Sequence, residues 1–137
     1  MSATARRIAG ALTLVAMVSF GGSAPAQNRL PVDPTADYGS IAYSPTDGRS
    51  GYSYNYRSEG EAVQVAMGYC RQDGGKACRT VVWVSNGCGA VAIAGSNRNF
   101  VAANGKYQPE AESTALSLCQ QSYGRSCTIK VWVCTSP

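Results

Sequence analysis

Two stretches of this chain carry the pattern that decides its fold: Cys70-Arg-Gln-Asp-Gly-Gly-Lys-Ala-Cys-Arg-Thr-Val-Val-Trp-Val84 and Cys119-Gln-Gln-Ser-Tyr-Gly-Arg-Ser-Cys-Thr-Ile-Lys-Val-Trp-Val133. Each has two cysteines eight residues apart with glycine between them, followed by a Val-Trp-Val run. The second stretch lies 49 positions after the first, and this one shift aligns both tryptophans and four of the six cysteines. Such agreement indicates two copies of one structural unit.

The duplication extends beyond these stretches. The same ungapped offset places Asn55 on Asn104 and sets the copies at about residues 39–85 and 88–134. Because stacked repeats need about three or more units to form a solenoid, two copies favour a single domain with one shared core. We therefore predict a pseudo-two-fold arrangement of the copies.

Each copy predicts the element order ββαβ. In copy one, β-prone runs at Ile41–Ser44 and Tyr52–Tyr56 flank a Pro-x-Asp-Gly turn, a helix follows, and Thr80–Val84 is the last strand. The corresponding strands of copy two are Ala90–Ile93, Phe100–Ala103 and Thr128–Val133. The predicted fold class is α+β, with two ββαβ repeats in pseudo-two-fold arrangement and a mainly antiparallel sheet on which two helices pack.

Both helices are predicted from apolar residues at helical spacing. In copy one, Ser58 followed three residues later by Glu61 is a capping-box pattern that marks the start of the helix. The predicted apolar faces are Ala62, Val65, Ala66 and Tyr69 in copy one, and Ala111, Ala115, Leu116 and Leu118 in copy two.

The cysteines are predicted to form three disulfides. Six cysteines allow 15 pairings, but duplication favours one bridge within each copy, and the two cysteines without a counterpart then pair with each other. The predicted bridges are Cys70–Cys78, Cys119–Cys127 and Cys88–Cys134. Each contributes about 2–4 kcal/mol, so reduction is expected to unfold a domain of this size or nearly so.

The amino-terminal residues are typical of an export signal. Two arginines precede an uncharged apolar run that is too short to span a bilayer, and Ala24 and Ala26 form an A-x-A-like cleavage site. We predict a signal peptide at residues 1–26, a flexible linker at 27–37 and a single disulfide-stapled domain at 38–137. The even cysteine count fits an oxidising compartment, so the expected location is the periplasm or the exterior.

Composition excludes several classes of function. The chain has no histidine, which removes the commonest general base and metal ligand, and we predict no catalytic residue, cofactor or metal. Removal of residues 1–26 leaves ten basic and eight acidic residues, scattered singly, so no nucleic-acid partner is expected. No membrane span is expected after signal cleavage.

Three groups of residues are candidates for a site. The first is the carboxylate pairs Glu59/Glu61 and Glu110/Glu112, which would suit sugar hydrolysis if they faced a cleft. Their position in a predicted first helical turn favours a capping role instead. The second is Asn86-Gly-Cys-Gly89, which we interpret as a turn between strands, because Asn-Gly is typical of hairpins.

The third candidate is the alternating run of Tyr52, Tyr54 and Tyr56. On an exposed strand face, these side chains would form a surface that stacks on sugars or on a partner protein. The ungapped offset aligns them with Val101, Ala103 and Gly105, which favours an inward face packed beneath the helices. Burial is thus the favoured interpretation, and a binding surface is the alternative.

The chain resembles a known family through three of its segments. They are Tyr38-Gly-Ser-Ile-Ala-Tyr-Ser-Pro45, Gly51-Tyr-Ser-Tyr-Asn-Tyr56 and Asn86-Gly-Cys-Gly-Ala90. Cys70 and Cys78 lie between the second and the third segment. The pattern is similar to that of the DUF4189 family of exported bacterial proteins and covers roughly residues 38–134. The resemblance implies an exported single domain and carries over no catalytic or ligand-binding residue.

The function expected from the sequence is that of a small exported protein that is not an enzyme and that binds an unknown protein or envelope component. An inhibitor, a protective factor or a protein that contacts a host or competitor would fit, because a rigid scaffold lowers the cost of binding. The alternatives are an enzyme that acts on cell-wall material through carboxylates and a structural or stress-related envelope component.

Overall fold

The computed structural model describes residues 35–124 and 126–136. The predicted signal peptide and residues 27–34 of the predicted linker lie outside the described residues. The elements in chain order are β1 (Tyr38–Ser44), β2 (Arg49–Tyr56), α1 (Glu59–Gln72), β3 (Arg79–Ser85), β4 (Cys88–Ala94), β5 (Ser96–Gly105), α2 (Gln108–Tyr123) and β6 (Cys127–Cys134). The predicted order ββαβ, repeated twice, is confirmed.

The strands form two antiparallel three-stranded sheets, one in each repeat. Their strand orders are β2-β1-β3 and β5-β4-β6. The α+β class, the antiparallel pairing and the two packed helices are as predicted, and the structure adds that each repeat has a sheet of its own. The first strand of each repeat is therefore central, and the second and third strands are sheet edges.

The two sheets pack face to face with reciprocal contacts. β1 contacts β6 while β4 contacts β3, and β2 contacts β6 while β5 contacts β3. Such exchange of equivalent partners is what a two-fold axis between the repeats produces. The interface between the sheets is an apolar cluster of Ile41, Val82, Val84, Val91 and Val133. Burying each such side chain stabilises the fold by about 1.5–3 kcal/mol.

Each helix covers the outer face of its own sheet. The buried helix residues occupy equivalent positions in the two repeats: Ala62, Ala66 and Cys70 in α1, and Ala111, Ala115 and Cys119 in α2. Because these side chains are small, the helix backbone lies close to the sheet. A Cβ atom on Gly51 of β2 would collide with the backbone of Ala66 and Cys70. Tyr69, predicted on the apolar face, is instead 53% exposed.

The disulfides join the cysteines that the repeat alignment pairs. Cys70–Cys78 and Cys119–Cys127 connect the end of each helix to the entry of the following strand. Cys88 and Cys134 lie directly opposite each other on β4 and β6 and are also bonded. All six sulfurs are thus in bridges, with no free cysteine in the described chain.

A β-bulge changes the relation between the repeats. Tyr38 pairs with Tyr56 and Ser40 with Ser53, so β2 has one extra residue between these pairs, at Asn55, which has a φ of 58°. The second hairpin has no such residue at the corresponding place. The structural offset is therefore 50 residues up to Ser53 and 49 after the bulge, and the ungapped alignment was wrong for the first hairpin.

The ends of β1 and β4 are held by equivalent hydrogen bonds. The Asp37 N–H donates to Asn86 Oδ1 and the Asn86 N–H to the Asp37 carbonyl; Gly87 and Thr135 make the same two contacts in repeat two. Ala36 is 3% exposed, so Ala36 and Asp37 belong to the packed domain and not to a linker. Asn86 and Gly87 form the predicted turn, but it joins strands of different sheets and is not a hairpin.

Gly51→Ala is expected to destabilise the protein by about 2 kcal/mol or more, because the added methyl group collides with helix backbone that cannot move aside. The matched control is Gly68→Ala in the middle of α1, where a Cβ meets no atom within 4 Å. It should raise the free energy of unfolding by about 1 kcal/mol through helix propensity. Urea denaturation measures both, and equal effects would contradict the proposed helix–sheet contact.

Candidate functional site

The tyrosines of β2 form an exposed ridge. Tyr52 is 50% exposed and Tyr54 56% exposed, and their rings lie nearly parallel with centroids 6.5 Å apart. Tyr56, beyond the bulge, is half-buried. The favoured prediction that this run packs beneath the helix is wrong for Tyr52 and Tyr54. Gly51 and Ser53 face the helix instead, and Ser53 Oγ donates to the Ala62 carbonyl of α1 at 2.6 Å.

The bulge explains that error. With the offset of 50 that applies here, the counterpart of Tyr52 is Ala102 and not Val101. Ala102 belongs to the side of its sheet that faces the other sheet, whereas Val101 packs beneath α2. A shift of one residue in a strand exchanges the two faces, so the ungapped alignment placed the tyrosines on the wrong side.

A groove runs along β2 on its helix side. It has a volume of about 840 Å³ and is lined by Ser50–Tyr56 of β2 together with residues of α1 and its C-terminal cap. The helix contributes Val65, which is half-buried, and Tyr69, which is half-exposed, as well as Gln72 and Asp73. Backbone polar groups and aromatic rings therefore share this groove.

A second depression lies on the other side of the ridge, between β2 and β6. Its volume is about 470 Å³, and it is lined by Tyr52, Tyr54 and the segment 130–134. Trp132 is 44% exposed here. Lys130 is the one charged side chain in this lining, and no carboxylate of the described residues forms an ion pair with it.

The pseudo-symmetric side of the molecule, between β5 and β3, is closed by large side chains. The Phe100 ring lies 5.1 Å from the ring of Tyr43, and the Arg79 guanidinium lies 5.1 Å above Phe100. The Tyr43 hydroxyl, fully buried, donates to the Asn97 carbonyl at 2.9 Å. These contacts fix the two sheets against each other on that side.

Smaller residues replace this cluster on the side of β2 and β6. The strand registers match Tyr43, Phe100 and Arg79 with Ile93, Ser50 and Thr128, respectively. Conversely, Ala102 and Val81 of the closed side correspond to Tyr52 and Lys130 of the open side. The duplication has thus diverged: one side is packed by Tyr43 and Phe100, whereas the other presents the exposed rings of Tyr52 and Tyr54 beside Lys130. We call the surface of Tyr52, Tyr54, Tyr69, Lys130 and Trp132 the open side.

The carboxylates considered as an acid/base pair lie elsewhere. Glu59 and Glu61 are exposed in the first turn of α1, where the Ser58 hydroxyl accepts a hydrogen bond from the Glu61 N–H at 3.3 Å. Glu110 accepts from the Lys106 N–H at 2.8 Å at the start of α2, and Glu112 accepts from Gln108 Nε2 at 3.0 Å. None of these groups lines the groove or the depression.

Two groups in the hairpin of β1 and β2, Asp47 and Tyr43, have shifted pKa values. Hydrogen bonds from the Ser44 hydroxyl and then from the Lys76 N–H lower the pKa of Asp47. Burial, and then the charge of Asp47, raises the pKa of Tyr43. In the described part of the chain, no three His, Cys, Asp or Glu side chains cluster as a metal site would require, and no helix there is long and apolar enough to cross a bilayer.

Sequence reasoning missed most of the open side. It identified Tyr52 and Tyr54 only as the less favoured alternative, and it did not select Tyr69, Lys130 or Trp132 as site residues. The available signal was the contrast between copies: the strand runs Val-Val-Trp-Val and Lys-Val-Trp-Val differ by a cation at Lys130. The side chains come together only through packing of the two sheets, which no local pattern encodes.

The fold and the open side define the class of protein. It is a small α+β domain made of two ββαβ repeats, held by three disulfides, with one open aromatic side. The chain belongs to the DUF4189 family, described as a domain of unknown function, whose family model matches residues 38–134.

Similar proteins are found in mycobacteria. The uncharacterized proteins Rv1813c of Mycobacterium tuberculosis and Mb1843c of Mycobacterium bovis are each 43% identical to this chain over 67 residues, which is 49% of this chain. The chain matches 43% of the length of these curated relatives. The NMR structure of Rv1813c from Mycobacterium tuberculosis aligns with a TM-score of 0.53 at 28% identity, covering 97% of this chain and 98% of that one.

Tyr54→Ser is expected to change the free energy of unfolding by less than about 1 kcal/mol, because the side chain is 56% exposed. The matched control is Tyr43→Ser, which removes a fully buried ring and should cost about 3–5 kcal/mol. Urea denaturation of the two variants measures the difference. Comparable large losses would show that Tyr54 is a core residue.

Tyr43→Phe is expected to flatten the alkaline loss of stability. Since the pKa of Tyr43 is raised in the folded state above its ordinary value of 10.0, its stabilising contribution is complete below about pH 10 and declines as the pH rises through the higher native pKa. The variant loses about 1 kcal/mol at pH 7 with the hydrogen bond but lacks this decline. Urea midpoints from pH 7 to 11 provide the test, and parallel curves would contradict it.

Proposed function

We propose that this protein is an exported binding protein, not an enzyme, and that it binds another macromolecule through the open side. The proposal rests on the difference between the closed side and the open side, which the pseudo-two-fold axis relates to each other. The closed side has the packing expected of a structural interface, whereas the open side exposes Tyr52 at 50% and Tyr54 at 56%. Trp132 is 44% exposed beside them, and its counterpart Trp83 is 45% exposed, so the divergence lies in the tyrosines and not in the tryptophans. Clustered exposed aromatic residues are typical of protein interaction sites.

The scaffold supports this use of the open side. The disulfides fix the ends of both helices and tie β4 to β6, which underlies the depression beside Lys130. A rigid surface loses little conformational entropy on binding, and tyrosine and tryptophan side chains have few rotatable bonds to immobilise. Disulfides are also what an oxidising compartment allows, which fits the proposed signal peptide at residues 1–26 and a periplasmic or secreted location.

The proposal predicts that partner capture depends on the open side. The oxidised protein is immobilised and exposed to lysate and culture medium of the producing cells, beside Tyr52→Ser/Tyr54→Ser and a control, Tyr107→Ser, whose side chain is 62% exposed elsewhere. One reproducible partner should be retained by the wild type and the control and lost by the double variant, with unchanged thermal stability. Retention by all three proteins would refute binding at the open side.

A further inference from the structure

We infer that the free edge of β2 takes up an extended segment of another polypeptide, one that alternates apolar with acidic side chains, as an additional strand of the sheet. The inference deepens the proposed function and rests on it. It assigns the occupant of the open side and the atoms that bind it.

The edge of β2 is suited to strand addition. β2 is the outer strand of its sheet, so every second residue directs its N–H and C=O groups away from β1. The run Ser50–Tyr54 contains no proline, no charged residue and no bulge. By contrast, the edge strands β3 and β6 are interrupted by bulges at Val81 and Lys130, and the edge strand β5 begins with an irregular segment that contains Arg98. Bulges and charges are the devices by which proteins protect sheet edges, and this run has neither.

The two depressions lie where an added strand would send its side chains. Successive side chains of a strand point to opposite faces of the sheet. From a strand beside β2, one set would enter the groove between β2 and α1, and the other would enter the depression between β2 and β6. Recognition by strand addition combines backbone hydrogen bonds with pockets for alternate side chains, and both are present here.

The residues that line each depression indicate which side chains of an added strand would fit there. The helix-side groove offers Val65 and Tyr69, which suit apolar or aromatic groups. The β6 side offers Tyr52, Trp132 and Lys130, with no carboxylate in the lining. A carboxylate of the incoming strand would pair with the Lys130 ammonium, which has no ion-pair partner among the described residues. Charge complementarity therefore favours acidic residues at alternate positions.

A second copy of this chain fits the edge less well. Its own β2, from Arg49 to Tyr56, contains no acidic residue and would bring no carboxylate to Lys130. It would also place an arginine near each end of the paired strands, since Arg49 begins β2 and Arg57 follows it. The occupant assigned by these charges is a different polypeptide.

The test uses a display library of random twelve-residue peptides selected on the oxidised protein. We expect enrichment of sequences in which apolar or aromatic residues alternate with Asp or Glu. For a synthetic peptide selected in this way, Lys130→Glu should weaken the affinity about tenfold or more. The substitution removes a charge-assisted contact and replaces it with repulsion between two carboxylates. The matched control Lys106→Glu changes an exposed lysine outside both depressions and should leave the affinity unchanged.

The geometry is tested on the same peptide by NMR. Intermolecular NOEs should link its backbone to alternate residues of Ser50–Tyr54. A peptide that requires Tyr52 and Tyr54 but shows no backbone pairing would overturn strand addition and leave the binding function standing. The inference would be overturned if no peptides were enriched, or if the selected peptides bound equally well after substitution of the tyrosines and of Lys130. In either case the binding function would be decided by the capture experiment alone. Self-association abolished by Tyr54→Ser would identify a second copy as the occupant and overturn the assignment.

Discussion

The face-to-face packing of two small antiparallel sheets is the constraint on which the rest of this structure depends. Neither repeat has a large core of its own, because the helix residues that are fully buried against its sheet are small, as Ala62 and Ala66 are. The larger apolar residues, Ile41, Val91 and Val133 among them, are buried between the sheets. Folding of one repeat therefore requires the other.

That shared interface has two lateral sides, which perfect symmetry would make alike. In this chain, one side is closed by Tyr43, Phe100 and Arg79, and the other has smaller residues at the matching places. Since the closed side and the central cluster already hold the sheets together, the open side is free of a packing role. We interpret the exposed tyrosine rings there as a binding surface, and this asymmetry, not any single residue, supports the proposed function.

The sequence predicted the fold well because its strongest signals were periodic or paired. The 49-residue shift, the cysteine positions and the Val-Trp-Val runs defined the order ββαβ and the three bridges. The capping pattern at Ser58 and Glu61 located the start of α1. The pattern did not predict the division of the strands into two sheets. The alternation of apolar and polar residues along a strand is the same whichever strand pairs with it.

The site was harder to predict for a specific physical reason. One additional residue at Asn55 exchanges the faces of β2 relative to its counterpart, and an alignment without a gap passes over it. The tyrosines were consequently assigned to the core. Lys130 and Trp132 belong to β6, far along the chain from β2 and from Tyr69 of α1, and they share a surface with the tyrosines only after the sheets have packed.

Amide hydrogen exchange in the free oxidised protein tests the account most directly. If the edge of β2 is open, alternate amides of Ser50–Tyr54 exchange orders of magnitude faster than those of Ala90–Ala92 in the central strand β4. The intervening amides of β2, which bond to β1, stay protected. Uniformly slow exchange along β2 would show that this edge is already covered and would contradict the account of the open side.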